Sequence, residues 1–218
     1  MKDQLHQELR LRWDDMTSFM NDSVKEKWWE LILAHYSERP YYNLNHLLHM
    51  LKLFDEYKDK LKDRYAVTFA IFFKHLEHDS KSNENAKASA EKFREFCSET
   101  TFDQENYVVN LILESENNCT DANLSENQFG SEDIHYLIDF DMSVIGEDEN
   151  KYNEYKSQVR KEYSDLSDKE YYNQRSKVLT LFLQIPNIYA TQQFRNLYEA
   201  QARKNIADEI KSINDLSK

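Results

Sequence analysis

The chain has 218 residues and a formal net charge of −12, and it contains only two glycines and two prolines. Sheets joined by tight hairpins and glycine-rich phosphate loops need more turn residues than this, so the composition predicts an all-α fold. The acidic excess argues against binding to nucleic acid and to anionic membrane surfaces, because both require clustered Lys and Arg. No apolar run approaches the ~20 residues of a membrane span.

The two cysteines, Cys97 and Cys119, form no CxxC motif and do not indicate a disulfide framework. The first residues lack the apolar core of a signal peptide. We therefore expect a cytoplasmic protein whose partners do not include nucleic acid or membrane.

Apolar residues recur at helical spacing along almost the whole chain. The first helix is expected over 5–16, and the second follows a cap at Asp22 or Ser23. A third helix over 44–57 is apolar nearly all round, which indicates a central helix on which His46 points inward.

A fourth helix is predicted over 64–79, and an acidic loop is predicted over 118–132. The pattern shows no internal repeat and no long linker, so a single domain over 1–218, with roughly nine helices, is expected. The remaining helices are expected at about 83–97, 104–117, 134–144, 148–164, 168–184 and 191–214.

The most informative stretch for function is residues 72–84, which read FFKHLEHDSKSNE. It resembles the signature of the predicted HD-superfamily metal-dependent phosphohydrolases, a family of small all-helical proteins. In that family the run reads Phe-His-Asp, three residues, Asp and, a few residues later, Asn-Glu. Phe73, Asp79 and Asn83-Glu84 fit this run without a gap, whereas Lys74-His75 stands in place of the His-Asp pair.

The resemblance continues over residues 40–210. Residues 41–47, YYNLNHL, look like the family's Tyr-His-Asn-x-x-His-Ile motif, with Tyr42 in place of the first His. Residues 137–146, LIDFDMSVIG, are similar to its Leu-Asp-x-Asp-Leu-x-Ile-Leu-Gly segment, and Asn118 stands where another segment normally ends in His. The order and spacing of these matches imply a helical domain of the HD type.

In the family, one His, an adjacent His-Asp pair and a later Asp hold one or two divalent metals. The metal lowers the pKa of a bound water and neutralises charge on a phosphoryl group. By the resemblance His46 is the first ligand and Asp141 the last, with Asp139 as a near alternative. Lys74 replaces the second His and His75 replaces the Asp. An ammonium has no lone pair to offer and repels a divalent cation.

Three alternatives for the metal site stay open. The site is lost; or a weak site is retained by His46, His75 and Asp141; or a new site is built from histidines on neighbouring helices. In the last case His75, His78 and Asp79 share one face of the fourth helix at i, i+3 and i+4. Nitrogen and carboxylate ligands suit Mn, Fe, Zn or Mg, so the pattern does not choose the ion.

Other candidates lie outside the ligand set. Asn83 and Glu84 are candidates for contacting a substrate or an outer ligand, and Glu84 is the only candidate catalytic residue; the alternative is an acidic residue at a helix N-terminus. Arg160, with Arg175 and Arg203, is a candidate to bind a phosphate. The alternative for these arginines is pairing with nearby carboxylates.

Two functions are compatible with these residues. The first is a binding or regulatory protein that has lost the standard metal centre and needs no cofactor. It keeps a pocket for a small phosphorylated ligand or nucleotide, in which Lys74 substitutes for the cation, or it acts through a protein partner. The second is an active phosphohydrolase, for phosphomonoesters or nucleotides, with Mn, Fe, Zn or Mg at a rebuilt site. The fold does not decide between them.

Overall fold

The computed structural model describes residues 2–216, which form helices, turns and loops without a strand among them. The prediction of an all-α fold is confirmed. The chain divides into two compact units, Met1–Glu116 and Asn117–Lys218. The expectation of a single domain of the HD type stays a prediction.

The helices of each unit have well-defined bounds. The first unit contains α1 (Lys2–Met16), α2 (Asp22–Ser37), α3 (Leu44–Tyr57), α4 (Arg64–Phe73), α5 (Asn85–Ser98) and α6 (Glu105–Glu114). The second contains α7 (Asp121–Leu124), α8 (Asp133–Met142), α9 (Glu149–Glu162), α10 (Asp168–Gln184) and α11 (Gln192–Leu216). Short 3₁₀ helices follow α3, α6 and α8, at Lys58–Lys60, Ser115–Asn117 and Ser143–Gly146.

Capping side chains decide where several helices begin. Asn21 begins α2, because its Oδ1 accepts a hydrogen bond from the backbone N–H of Ser23 at 2.9 Å. The prediction that Asp22 or Ser23 is the cap is therefore wrong. Asn43 begins α3 by accepting hydrogen bonds from N–H groups of the first turn, and Ser167 begins α10 with a capping box.

Aromatic side chains fill the core of the first unit. Phe72 and Phe73 of α4 have no exposed surface, and they pack against Trp13 and Trp28 with ring centroids 5.4 and 5.9 Å apart. Phe96 of α5 contacts both tryptophan rings. Burial of each phenylalanine contributes about 1.5–3 kcal/mol. This core fixes α4, and with it the start of the segment that carries the candidate ligands.

The second unit contains a buried ion pair and one close approach between neighbouring elements. Arg175 of α10 donates to the two carboxylate oxygens of Glu209 of α11, at 2.9 and 3.2 Å, and the hydroxyl of Tyr152 donates to the same carboxylate. Gly146 lies so close to Tyr198 that a Cβ at position 146 would be 2.4 Å from the Tyr198 Cβ. Only glycine fits there without a shift of its neighbour.

The segment 118–132 is more ordered than an acidic loop. It contains the short helix α7, which begins with a capping box between Thr120 and Asn123. The Asn123 side chain has no exposed surface and donates to the carbonyls of Asn187 and Ile188. The prediction of a loop is therefore wrong for α7, since these buried hydrogen bonds fix the short helix.

Candidate functional site

His46 lies in the first turn of α3, where the Asn43 side chain accepts a hydrogen bond from its backbone N–H at 3.2 Å. The residue is 7% exposed, and its ring packs against Tyr41 with centroids 4.9 Å apart. The prediction that His46 points inward is confirmed.

The helix α4 ends at Phe73, so the prediction of a helix over 64–79 is wrong for its last part. The hydroxyl of Tyr36, on α2, donates to the carbonyl oxygen of Phe72 at 2.9 Å, and the guanidinium of Arg39 donates to the carbonyl oxygen of His75. In a helix over 64–79 these two oxygens would accept from backbone N–H groups one turn further along. Side chains of α2 and of the loop after it therefore bind acceptors that a longer α4 would use.

Because α4 ends early, His75, His78 and Asp79 do not share a helical face. Asp79 is exposed, and its Oδ1 accepts a hydrogen bond from the backbone N–H of Lys81 at 2.9 Å. Among the described residues of the first unit, neither His78 nor Asp79 brings a ligand atom within 4.8 Å of those of both His46 and His75. The structure therefore does not assemble the rebuilt ligand set.

His46 and His75 do come together. A ring nitrogen of one lies within 4.8 Å of a ring nitrogen of the other, and the ring centroids are 5.5 Å apart. Tyr42 stacks on His75 at 4.2 Å between centroids, and it also contacts His46 at 5.6 Å and His78 at 4.9 Å. We call these four residues, Tyr42, His46, His75 and His78, the imidazole cluster.

Lys74 is only 7% exposed. Its ammonium donates to the carbonyl of Ser115 at 3.1 Å and to the hydroxyl of Ser115 at 2.9 Å. The serine hydroxyl in turn donates to the Ile112 carbonyl at 2.9 Å. A buried charge requires such hydrogen-bonding partners. Sequence reasoning missed Ser115, since a serine 41 residues from Lys74 carries no signal of this contact.

Asn83 and Glu84 are both exposed in the turn before α5. Glu84 immediately precedes α5, and its carboxylate lies 3.4 Å from the ammonium of Lys87. This position agrees with the alternative of an acidic residue at a helix N-terminus, where negative charge is favourable. A catalytic role for Glu84 and a ligand contact for Asn83 stay predictions.

The two aspartates of α8 belong to the second unit. Asp139 is fully buried: its Oδ1 accepts from the backbone N–H of Ala190, and its Oδ2 accepts from the backbone N–H and hydroxyl of Thr191, all at 2.7–2.8 Å. Burial raises the pKa of Asp139 to about 7, although these hydrogen bonds act in the opposite direction. Asp139 therefore anchors the residues before α11. Asp141 is half-buried, and its ligand role stays a prediction.

The three candidate arginines are engaged in local contacts. Arg160 donates to the carboxylate of Asp168 at 2.7 Å and to the carbonyls of Tyr163 and Leu166. The expectation that these arginines pair with nearby carboxylates is confirmed, whereas phosphate binding by Arg160 stays a prediction. The other two pairs are Arg175 with Glu209 and Arg203 with Glu199.

The chain matches no protein-family model, no curated protein and no solved structure. Across residues 2–216, none of the helices combines the length and the apolar character needed to cross a membrane. The assignment to the HD type therefore rests on the sequence resemblance alone.

Proposed function

We propose that the chain is a cytoplasmic, HD-phosphohydrolase-like protein that binds a small phosphorylated ligand or nucleotide without hydrolysing it. One observation carries the proposal: the buried ammonium of Lys74, held by Ser115, stands where the resemblance places a metal-ligating histidine. The resemblance implies a scaffold of the HD type. The contacts of Lys74 support the proposal that this scaffold no longer has its standard set of metal ligands.

Lys74 cannot replace an imidazole as a metal ligand while its amine is protonated. An ammonium has three N–H donors and no lone pair, and Lys74 uses donors toward both oxygens of Ser115. Coordination would require loss of a proton, since only the neutral amine has a lone pair to offer. The residue therefore removes one ligand from the set that phosphoryl hydrolysis in this family uses, and it places a positive charge nearby.

A positive charge in a buried setting favours an anionic ligand. The chain carries a net charge of −12, so its surface as a whole repels phosphates, and anion binding needs a local cation. Lys74 provides one, and charge-assisted hydrogen bonds to phosphate oxygens are about twice as strong as neutral ones. His75 is the next residue in the chain, and its ring centroid lies 5.5 Å from that of His46; both imidazoles carry N–H groups that can donate to an anion.

The test is isothermal titration of a panel of nucleotides and phosphomonoesters in the presence of EDTA. We expect at least one compound to bind, and we expect Lys74→Met to weaken its binding by about 10–100-fold, as loss of a charged hydrogen-bond donor implies. Lys74→Arg, which keeps the charge, should retain part of the affinity. Lys87→Met removes an exposed lysine and is the matched control. Absence of binding across the panel, or equal binding by folded Lys74→Met, contradicts the proposal.

A second candidate is an active metal-dependent phosphohydrolase, and the proximity of the His46 and His75 ring nitrogens favours it. By the resemblance, Asp141 is the last ligand of this candidate. The double variant Lys74→His, His75→Asp separates the two functions. On the binding proposal the wild-type chain is inactive and the double variant gains phosphate release with added Mn²⁺. On the alternative the wild-type chain is already active.

A further inference from the structure

We infer that residues 121–130, here called the docking segment, bind a short basic segment of another protein. Apolar side chains of that partner contact Leu124 and Phe129. Its Lys or Arg side chains lie beside Asp121 and Glu126. The inference goes beyond the proposed function and requires no phosphorylated ligand. It rests on the charge of the sequence, the hydrogen bonds that hold the segment and the exposure of its two large apolar side chains.

The excess negative charge of the chain is concentrated in one stretch of sequence. Residues 95–150 contain no Lys or Arg, although the chain has 28 of them, while Asp and Glu recur throughout the stretch. The docking segment lies within it, and the side chains of Asp121 and Glu126 are both exposed. Such a segment attracts a cationic partner and repels an acidic one, because complementary charges steer an encounter and like charges oppose it.

Hydrogen bonds to residues 187–190 hold the docking segment near both ends. Near its start, the carbonyl of Asn123 accepts a hydrogen bond from the backbone N–H of Asn187 at 3.1 Å. At its end, the backbone N–H of Gly130 donates to the carbonyl of Ala190 at 2.8 Å. The residues between these two anchor points therefore project from a fixed base.

The two large apolar side chains of the segment are exposed although the segment is held in place. Leu124, which directly follows the first anchor residue, is 54% exposed, and Phe129, which precedes the second, is 52% exposed. The anchor points are three residues apart on the chain from 187 to 190, which spans at most about 11 Å, so one extended peptide of about five residues can reach both side chains. Single apolar residues scattered over a surface are ordinary, whereas neighbouring ones that form a patch mark an interaction site.

Arg195 of α11 orients the aromatic ring of the patch. Its guanidinium lies over the Phe129 ring, 4.8 Å from the centroid, and donates to the carbonyls of Ala122 and Ala190 at 2.8 and 3.1 Å. A ring held in this way loses little conformational freedom when a partner binds. The two exposed carboxylates of the docking segment outnumber this one positive charge, so the surface still favours a basic partner.

The first experiment is fluorescence anisotropy with the labelled synthetic peptide Lys-Arg-Leu-Lys-Phe-Arg-Lys at physiological salt. We expect saturable binding to the wild-type chain. Two control peptides separate the contributions: one carries Ser in place of Leu and Phe, and the other carries Glu in place of every Lys and Arg. Each control should bind at least about tenfold more weakly, because it lacks either the apolar anchors or the complementary charge.

The second experiment repeats the titration with variants of the chain. Leu124→Ser and Glu126→Lys should each weaken binding of the basic peptide at least about fivefold. The matched control for the first is Leu181→Ser on α10, where the leucine is 61% exposed. The matched control for the second is Glu154→Lys on α9, which changes the net charge equally at another exposed position. Both controls should bind like the wild-type chain, and circular dichroism checks that every variant folds.

Several outcomes would overturn the inference. They are the absence of saturable binding by the basic peptide, equal binding of the peptide without Leu and Phe, and unchanged binding by either folded variant, Leu124→Ser or Glu126→Lys. Sedimentation equilibrium tests for a second copy of the chain: a dimer that Leu124→Ser dissociates would show that a copy covers the surface, and would also overturn it. If the basic peptide binds as expected while no phosphorylated compound binds, the inference holds and the proposed function fails.

Discussion

The buried pair of Arg175 and Glu209 provides the sharpest stability prediction. Their side chains are 12% and 6% exposed, so water screens neither charge well. Glu209→Gln keeps the shape of the side chain but removes its charge, and arginine stays protonated at any ordinary pH. The variant therefore leaves a buried cation without its counterion.

The expected cost follows from the contacts that are lost. Glu209 accepts two hydrogen bonds from Arg175, at 2.9 and 3.2 Å, and one from the Tyr152 hydroxyl. Removing one partner of a buried ion pair typically costs about 3–5 kcal/mol, because the remaining charge is left uncompensated. An amide oxygen can still accept one of these bonds, so we expect a loss near the lower end, about 3 kcal/mol.

The assay is urea unfolding followed by far-UV circular dichroism, with the free energy of unfolding taken by linear extrapolation. The matched control is Asp168→Asn, which breaks the pair between Arg160 and Asp168. The Asp168 side chain is 78% exposed, and loss of such a surface pair should cost less than about 1 kcal/mol. Equal losses in the two variants would refute the argument from burial.

Three further predictions concern single residues. Gly146→Ala should lower stability by about 1–3 kcal/mol in thermal unfolding, because its Cβ would meet Tyr198; a stabilised variant would show that the contact is not tight. Burial raises the pKa of Cys97 to about 12, so about one thiol in 10⁴ is ionised at pH 8. Labelling of Cys97 by iodoacetamide, followed by mass spectrometry, should therefore be slow, and its rate should rise about tenfold per pH unit. Rapid labelling of the folded chain at pH 8 would contradict this prediction. Asp139→Asn should cost about 1–3 kcal/mol in urea unfolding, since its amide would face the donors of Thr191, and an unchanged midpoint would contradict that role.

The helices show which helix bounds the apolar periodicity can predict and which it cannot. It predicts α3 with the bounds that the structure has, because Asn43 caps the start locally and apolar residues continue to Tyr57. It fails after Phe73, where the apolar spacing runs on while the backbone leaves the helix. The carbonyl of Phe72, which a longer helix would use, accepts a hydrogen bond from the hydroxyl of Tyr36, a residue far from it in sequence. The sequence pattern of one helix contains no information about a hydrogen-bond donor from another part of the chain.

The sequence likewise predicts only part of the candidate site. The motif spacing places His46 and His75 in the predicted ligand set, and the structure brings their rings together. The motif spacing does not predict that Lys74 donates to Ser115, or that Tyr42 stacks on His75, because both contacts depend on tertiary packing. The displaced pair of His78 and Asp79 does not lie on one helical face with His75, because α4 ends at Phe73.

The most direct test of the central claim is phosphate release by the purified chain. A panel of nucleotides and phosphomonoesters should be assayed with Mn²⁺, Mg²⁺ and Zn²⁺, beside a folded His46→Gln variant as the background. The account predicts that wild-type release does not exceed that background for any compound or ion. Metal-dependent release that is lost in His46→Gln would contradict it and identify a working hydrolase.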